Sequence, residues 1–70
     1  MNWIRDANDI DYSYVTDEKY PICRGWVLRR NVASMKWKAF FFTEGEPKMF
    51  STEQEAREWV TTKYVQWRMD

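Results

Sequence analysis

Met35-Lys36-Trp37-Lys38-Ala39-Phe40-Phe41-Phe42 is the stretch on which the fold turns. At strand period, Met35, Trp37, Ala39 and Phe41 share one face, while Lys36, Lys38, Phe40 and Phe42 share the other. The first set carries no charge and is expected to face the core. Immediately upstream, in Arg24-Gly25-Trp26-Val27-Leu28-Arg29-Arg30, Trp26 and Leu28 alternate with Val27 and Arg29, which marks a second strand. The short Asn31-Val32-Ala33-Ser34 connection predicts an antiparallel hairpin, but it contains no Asn-Gly pair, so the register stays open. Downstream, Glu44-Gly45-Glu46-Pro47 reads as a turn leading into a short edge strand, Lys48-Met49-Phe50.

A helix should follow. With Thr52 as N-cap, its hydroxyl can accept from the backbone near Glu55 while Glu55 reaches back, and Glu53 meets the positive end of the helix dipole. Ala56, Trp59, Val60, Tyr64 and Trp67 then recur at helical spacing, with Val65 and Met69 beside the stripe, which predicts a helix over 53–68. The N-terminal segment reads as a helix over 2–9, with Trp3, Ala7 and Ile10 on one side, and then a strand over 11–16. The expected fold is α+β: a small three- to four-stranded antiparallel sheet with one C-terminal amphipathic helix packed on one face. It forms a single domain over 1–70, comprising an acidic arm at 1–20, strands within 24–50 and the helix.

Length bounds the interior. A chain of 70 residues buries only about 60% of the surface its unfolded form exposes. Yet 19% of the residues are aromatic, 5 Trp, 4 Tyr and 4 Phe, and each ring can bury roughly 150–250 Å². So small a body can hardly enclose them all, and some rings are expected at the surface. Eleven basic and eleven acidic side chains leave a formal net charge of zero, which argues against a generally cationic nucleic-acid coater. The charges are nonetheless segregated. Asp6, Asp9, Asp11, Asp17 and Glu18 make the first block acidic, whereas Arg24, Arg29, Arg30, Lys36, Lys38 and Lys48 make the middle basic.

The residue types needed for catalysis are sparse. There is no His, the commonest neutral-pH base and metal ligand, so Cys23, Ser13, Ser34 and Ser51 lack the usual activating partner. Cys23 reads as a small, partly buried structural residue. A single cysteine closes no intrachain disulfide, which suits a reducing cytoplasm. Asp6-Ala7-Asn8-Asp9-Ile10-Asp11 invites a calcium reading, but with Asp9, Asp11 and Ser13 as the first ligands the turn position that requires Gly would be Tyr14 and the closing carboxylate Tyr20, and a start at Asp6 puts Ile10 in a ligand position. Gly25 and Gly45 are too far apart for a phosphate-cradling loop. The chain is therefore expected to be a non-enzyme with no cofactor and no metal. No apolar run reaches the roughly 20 residues of a membrane span, and the start lacks the pattern of a secretory signal.

What remains is the sheet face turned away from the helix, expected to present Val27, Arg29, Lys36, Lys38, Phe40 and Phe42. Arg29, Lys36, Lys38, Phe40 and Phe42 form the candidate partner-binding site. Three readings stay open. The cations and rings suit the phosphates and bases of a nucleic acid. They equally suit a protein with an acidic surface, the phenylalanines acting as anchors. Or the acidic arm, with Trp3, Ile10, Tyr12 and Tyr14, lies over the face and satisfies it internally. A spare aromatic face, or the edge at Lys48-Met49-Phe50, also makes a homodimer an expected alternative.

The run Gly25-Trp26-Val27, Trp37-Lys38-Ala39-Phe40 and Phe50-Ser51-Thr52-Glu53-Gln54-Glu55-Ala56-Arg57-Glu58-Trp59 resembles the strand-strand-strand-helix pattern of small bacteriophage-encoded accessory proteins. It is also similar to the three-stranded, one-helix arm-binding domain of phage-type integrases. The resemblance covers about residues 24–66 and implies a phage protein acting in the host cytoplasm. There it would bind and block a host protein, as anti-CRISPR and related anti-defence proteins do.

Overall fold

The computed structural model describes residues 1–8, 11–19, 22–29 and 36–69. Five strands, β1 (Asn2–Arg5), β2 (Tyr12–Thr16), β3 (Cys23–Leu28), β4 (Trp37–Phe41) and β5 (Lys48–Phe50), precede one helix, α1 (Glu53–Met69). The strands form a single antiparallel meander in the order β1-β2-β3-β4-β5. The α+β class expected from the sequence is thus present. The strand count is five rather than three to four, and the expected helix over 2–9 is corrected: Asn2–Arg5 is a strand, paired antiparallel with β2. Trp3 turns toward the core while its neighbours Asn2 and Ile4 are exposed, an alternation that a window holding only three apolar residues could equally present as a helix stripe. Ile10, the last residue of that stripe, and the 31–34 connection lie outside the described residues.

Register decides the faces. Val27 pairs with Ala39 and with Ser13, and Gly25 pairs with Phe41 and with Val15. Cross-strand partners share a face, so Val15, Val27, Ala39 and Phe41 form one apolar layer, and all four are buried. The helix lies across β3, β4 and β5 on this side and adds Ala56, Val60 and Tyr64 to the same cluster. Its start is held by the Thr52 hydroxyl, which accepts from Glu55 N at 3.1 Å, the forward half of the expected capping box. Trp59 and Trp67 pack at the cluster's margin as the stripe predicts, whereas Val65 and Met69 are exposed at 48% and 81%.

Where the helix does not reach, long side chains cover β1 and β2. The Arg57 guanidinium lies 4.7 Å from the Trp3 ring centroid and donates to Ser13 Oγ at 2.9 Å. Arg5 meets Glu53 at 2.9 Å. At the other end of the helix, Tyr64 donates its hydroxyl proton to Asp17 at 2.6 Å, and Arg24 Nε meets the same carboxylate at 3.1 Å. The Tyr64 hydrogen bond, together with Arg24, holds the Asp17 carboxyl below the ordinary range, and burial followed by the Asp17 bond raises the Tyr64 phenol. Each group is thereby fixed in its usual state, ionised and protonated respectively. The pair ties the end of β2 to the helix instead of exchanging a proton near neutral pH.

Candidate functional site

The second face of the sheet has a different chemistry. Ile4 pairs with Tyr14, Tyr14 with Trp26 and Trp26 with Phe40, so one row of apolar side chains runs across four strands. A second row runs Tyr12, Leu28, Lys38 and Met49. None of these eight residues belongs to the core cluster or packs against it. Ile4 and Met49 are exposed at 38% and 43%, and the four rings and Leu28 are half-buried by their neighbours on the sheet. Trp26 and Phe40 lie nearly parallel at 21° with centroids 5.5 Å apart, an offset stack. Tyr12 and Tyr14 meet at 5.9 Å. No described strand or helix of the chain lies over this face, because α1 covers the other one and β1 and β2 extend the sheet sideways.

This arrangement answers how the rings are distributed. Among the described residues only two aromatic side chains are buried, Phe41 and Tyr64. Trp3, Trp37, Phe50, Trp59 and Trp67 pack around the helix side. Tyr12, Tyr14, Trp26 and Phe40 are left on the open face. The described strands of the acidic arm do not fold back over them: they contribute Ile4, Tyr12 and Tyr14 to the same surface.

Of the five expected site residues, the structure places Lys38 and Phe40 on the open face, in adjacent rows. Lys36, one step before β4, is exposed and falls on the same side by alternation. The other two are corrected. Arg29 continues the Val27 side of β3: its guanidinium lies 5.2 Å from the Trp37 centroid and 3.4 Å from Asp11. Phe42 lies just past β4, where the strand ends, and its ring meets Trp67 edge-on at 5.1 Å with Arg24 above it at 5.1 Å. Val27, expected outward, is fully buried, and Trp26 and Leu28 take its place. The cause is register. Once Val27 is known to pair with Ala39, its face follows, and the 31–34 connection offered no turn signal to fix that pairing. Ile4 falls in the segment expected to be helical, and Tyr12 and Tyr14, though expected in a strand, carry no signal that places them beside Trp26 and Phe40 until the pairing of β2 with β3 is known.

The remaining sequence candidates are accounted for locally. Cys23 is exposed rather than partly buried in character, and its thiol, 3.5 Å from the Gly25 carbonyl, is raised by desolvation and so stays protonated. Asp6 accepts from Asn8 N at 2.8 Å and Asp11 faces Arg29. Among the described residues no three His, Cys, Asp or Glu side chains gather as a metal site would require, and Asp9 lies outside those residues. Among the described residues no helix is long and apolar enough to cross a membrane. Comparisons with protein-family models, with curated proteins and with solved structures returned no match to this chain.

Proposed function

We propose that the chain is a non-catalytic protein-binding module, an inhibitor or adaptor, that docks through the open face of its sheet. The observation that carries this reading is the row Ile4-Tyr14-Trp26-Phe40, set beside Leu28 and Met49 and covered by no described element. Contiguous apolar surface of this kind on a small domain marks an interaction site, and Trp and Tyr are the residues on which interface energy concentrates. Lys36 and Lys38 have no ion-pair partner among the described residues, and they bias the face toward a partner with carboxylates opposite them. The resemblance to small phage accessory proteins extends the proposal to a host or defence protein, bound in the host cytoplasm.

The same lysines among rings support a second reading, a nucleic-acid-binding module. Trp26 and Phe40 favour the first, since each turns part of a ring face toward the other and leaves less of it for a base to stack on.

The test is affinity capture from host lysate with wild type and with Trp26→Ala/Phe40→Ala, both shown by circular dichroism to be folded, alongside oligonucleotide titration at two salt concentrations. Loss of a specific protein with the double variant is expected. A partner held equally by both forms contradicts the assigned face. Strong, salt-sensitive oligonucleotide binding that disappears in Lys36→Glu/Lys38→Glu would establish the second reading instead.

A further inference from the structure

We infer that the open face also binds a second copy of this chain, sheet against sheet, in a two-fold dimer whose axis runs along β3. This rests on the reading of the open face as a protein-binding surface and names one occupant for it.

Charge placement on the face favours a second copy. Asp6 donates its backbone N–H to the Tyr12 carbonyl at 3.0 Å, so it continues the β1–β2 ladder by one step beyond Arg5. The second row of the face therefore reads Asp6, Tyr12, Leu28, Lys38, Met49 from one edge of the sheet to the other. It begins with a carboxylate, whose Oδ1 accepts from Asn8 N at 2.8 Å and whose other oxygen takes no hydrogen bond among the described residues, and it carries an ammonium group three strands away. A two-fold axis along β3, lying between two stacked sheets, sets β4 of each copy over β2 of the other and β5 over β1. Lys38 then stands over the partner copy's tyrosine row, with the Asp6 carboxylate one strand further, about 4.8 Å across the sheet. The contact occurs twice, once for each lysine. The apolar row is also self-complementary. Trp26 and Leu28, on the axis strand, meet their own counterparts, and Phe40 meets Tyr14. Aligned sheets pack about 10 Å apart with strands within about 30° of one another, and side chains of this size fill that space.

Net charge permits the approach. Eleven positive and eleven negative side chains leave no long-range repulsion between copies.

Area sets the strength. Five strands about 4.8 Å apart, with about 3.4 Å per residue along each, give a flat footprint of roughly 19 by 17 Å. Stable interfaces typically bury about 800 Å² of accessible surface on each side, so this one lies at or below the small end of the range. The dimer is accordingly weak and concentration-dependent. A heterologous partner and the second copy use one surface, so each excludes the other.

The experiment is sedimentation velocity of the full chain from about 1 to about 500 µM, a span suited to an interface of this size. Wild type, Trp26→Ala, Lys38→Glu and Asp6→Lys/Lys38→Glu are compared, with circular dichroism confirming each fold. The expected result is a mass that rises from 8.7 kDa toward that of two chains. Trp26→Ala and Lys38→Glu should each weaken the dimer by about tenfold or more, since every interface residue counts twice in a two-fold contact. The double charge exchange should recover most of the Lys38→Glu loss. A mass of one chain at every concentration overturns the inference. So does a dimer indifferent to both single variants, which would be joined elsewhere, as at the β5 edge. Neither result touches the proposed hetero-partner, whose fate is read separately from capture with Trp26→Ala/Phe40→Ala.

Discussion

Phe41→Ala is expected to cost about 3–5 kcal/mol, the range for removing a fully enclosed phenylalanine. Phe41 is the largest completely buried side chain among the described residues, and its ring meets Tyr64 and Trp67 at 6.3 Å each and Phe42 at 5.0 Å. Removing it leaves three rings without the neighbour they pack around, two of them on the helix. For 70 residues the total stability is of order 4–10 kcal/mol, so one substitution consumes a large share of it. Urea titration followed by far-UV circular dichroism should show the midpoint falling steeply, with a melting temperature lower by on the order of 20 °C. A loss under about 1 kcal/mol would mean that the helix does not pack on this strand as described.

Gly25→Ala is the second large effect, and its cause is space. A Cβ at this position would sit 2.6 Å from the Phe40 carbonyl oxygen, 3.1 Å from Phe41 Cδ1 and 3.2 Å from Val60 Cγ1. The first of these is backbone within the β3–β4 ladder and cannot swing aside; the other two belong to the buried cluster. Glycine here lets Val60 of the helix approach the middle of the sheet. Overpacking of this kind typically costs about 1–3 kcal/mol, and the loss should appear in the same urea titration. Gly45→Ala is the internal control, because nothing lies within 4 Å of a Cβ there; its effect should stay within about 0.5 kcal/mol. Equal stability of the two variants would contradict the close approach of α1 to β3.

How legible these features were depended on the length of each pattern. Helix α1 could be read from Thr52 and from five apolar residues at helical spacing, and the structure ends it one residue beyond the expected boundary, at Met69. Strand β4 was legible because apolar residues alternate with lysines from Met35 to Ala39, and extending that period put Trp37, Ala39 and Phe41 on the core side and Lys38 and Phe40 on the other. Strand β3 was recognised but its faces were exchanged. Trp26-Val27-Leu28 is apolar on both sides, and only pairing with β4 tells them apart. Strand β1 is four residues long, too short for its alternation to outweigh a helical reading. Its identity comes from hydrogen bonding to β2, a tertiary fact. Arg29 kept the alternation of β3 and so went with Val27 to the helix side, where it meets Trp37, whereas Phe42, one step beyond β4, turned its ring to Trp67. The excess of rings over interior was visible in composition. Which rings were left outside was not, because that required the register of every strand.

Hydroxyl-radical footprinting of the free protein, at a concentration low enough for the monomer to dominate, tests most directly whether the second sheet face is open. Trp26, Tyr14, Phe40 and Met49 should be oxidised readily, while Phe41 and Tyr64 stay protected. If Trp26 and Phe40 were instead as protected as Phe41 in the monomer, the chain would be covering its own rings. The binding face proposed for it would then not exist.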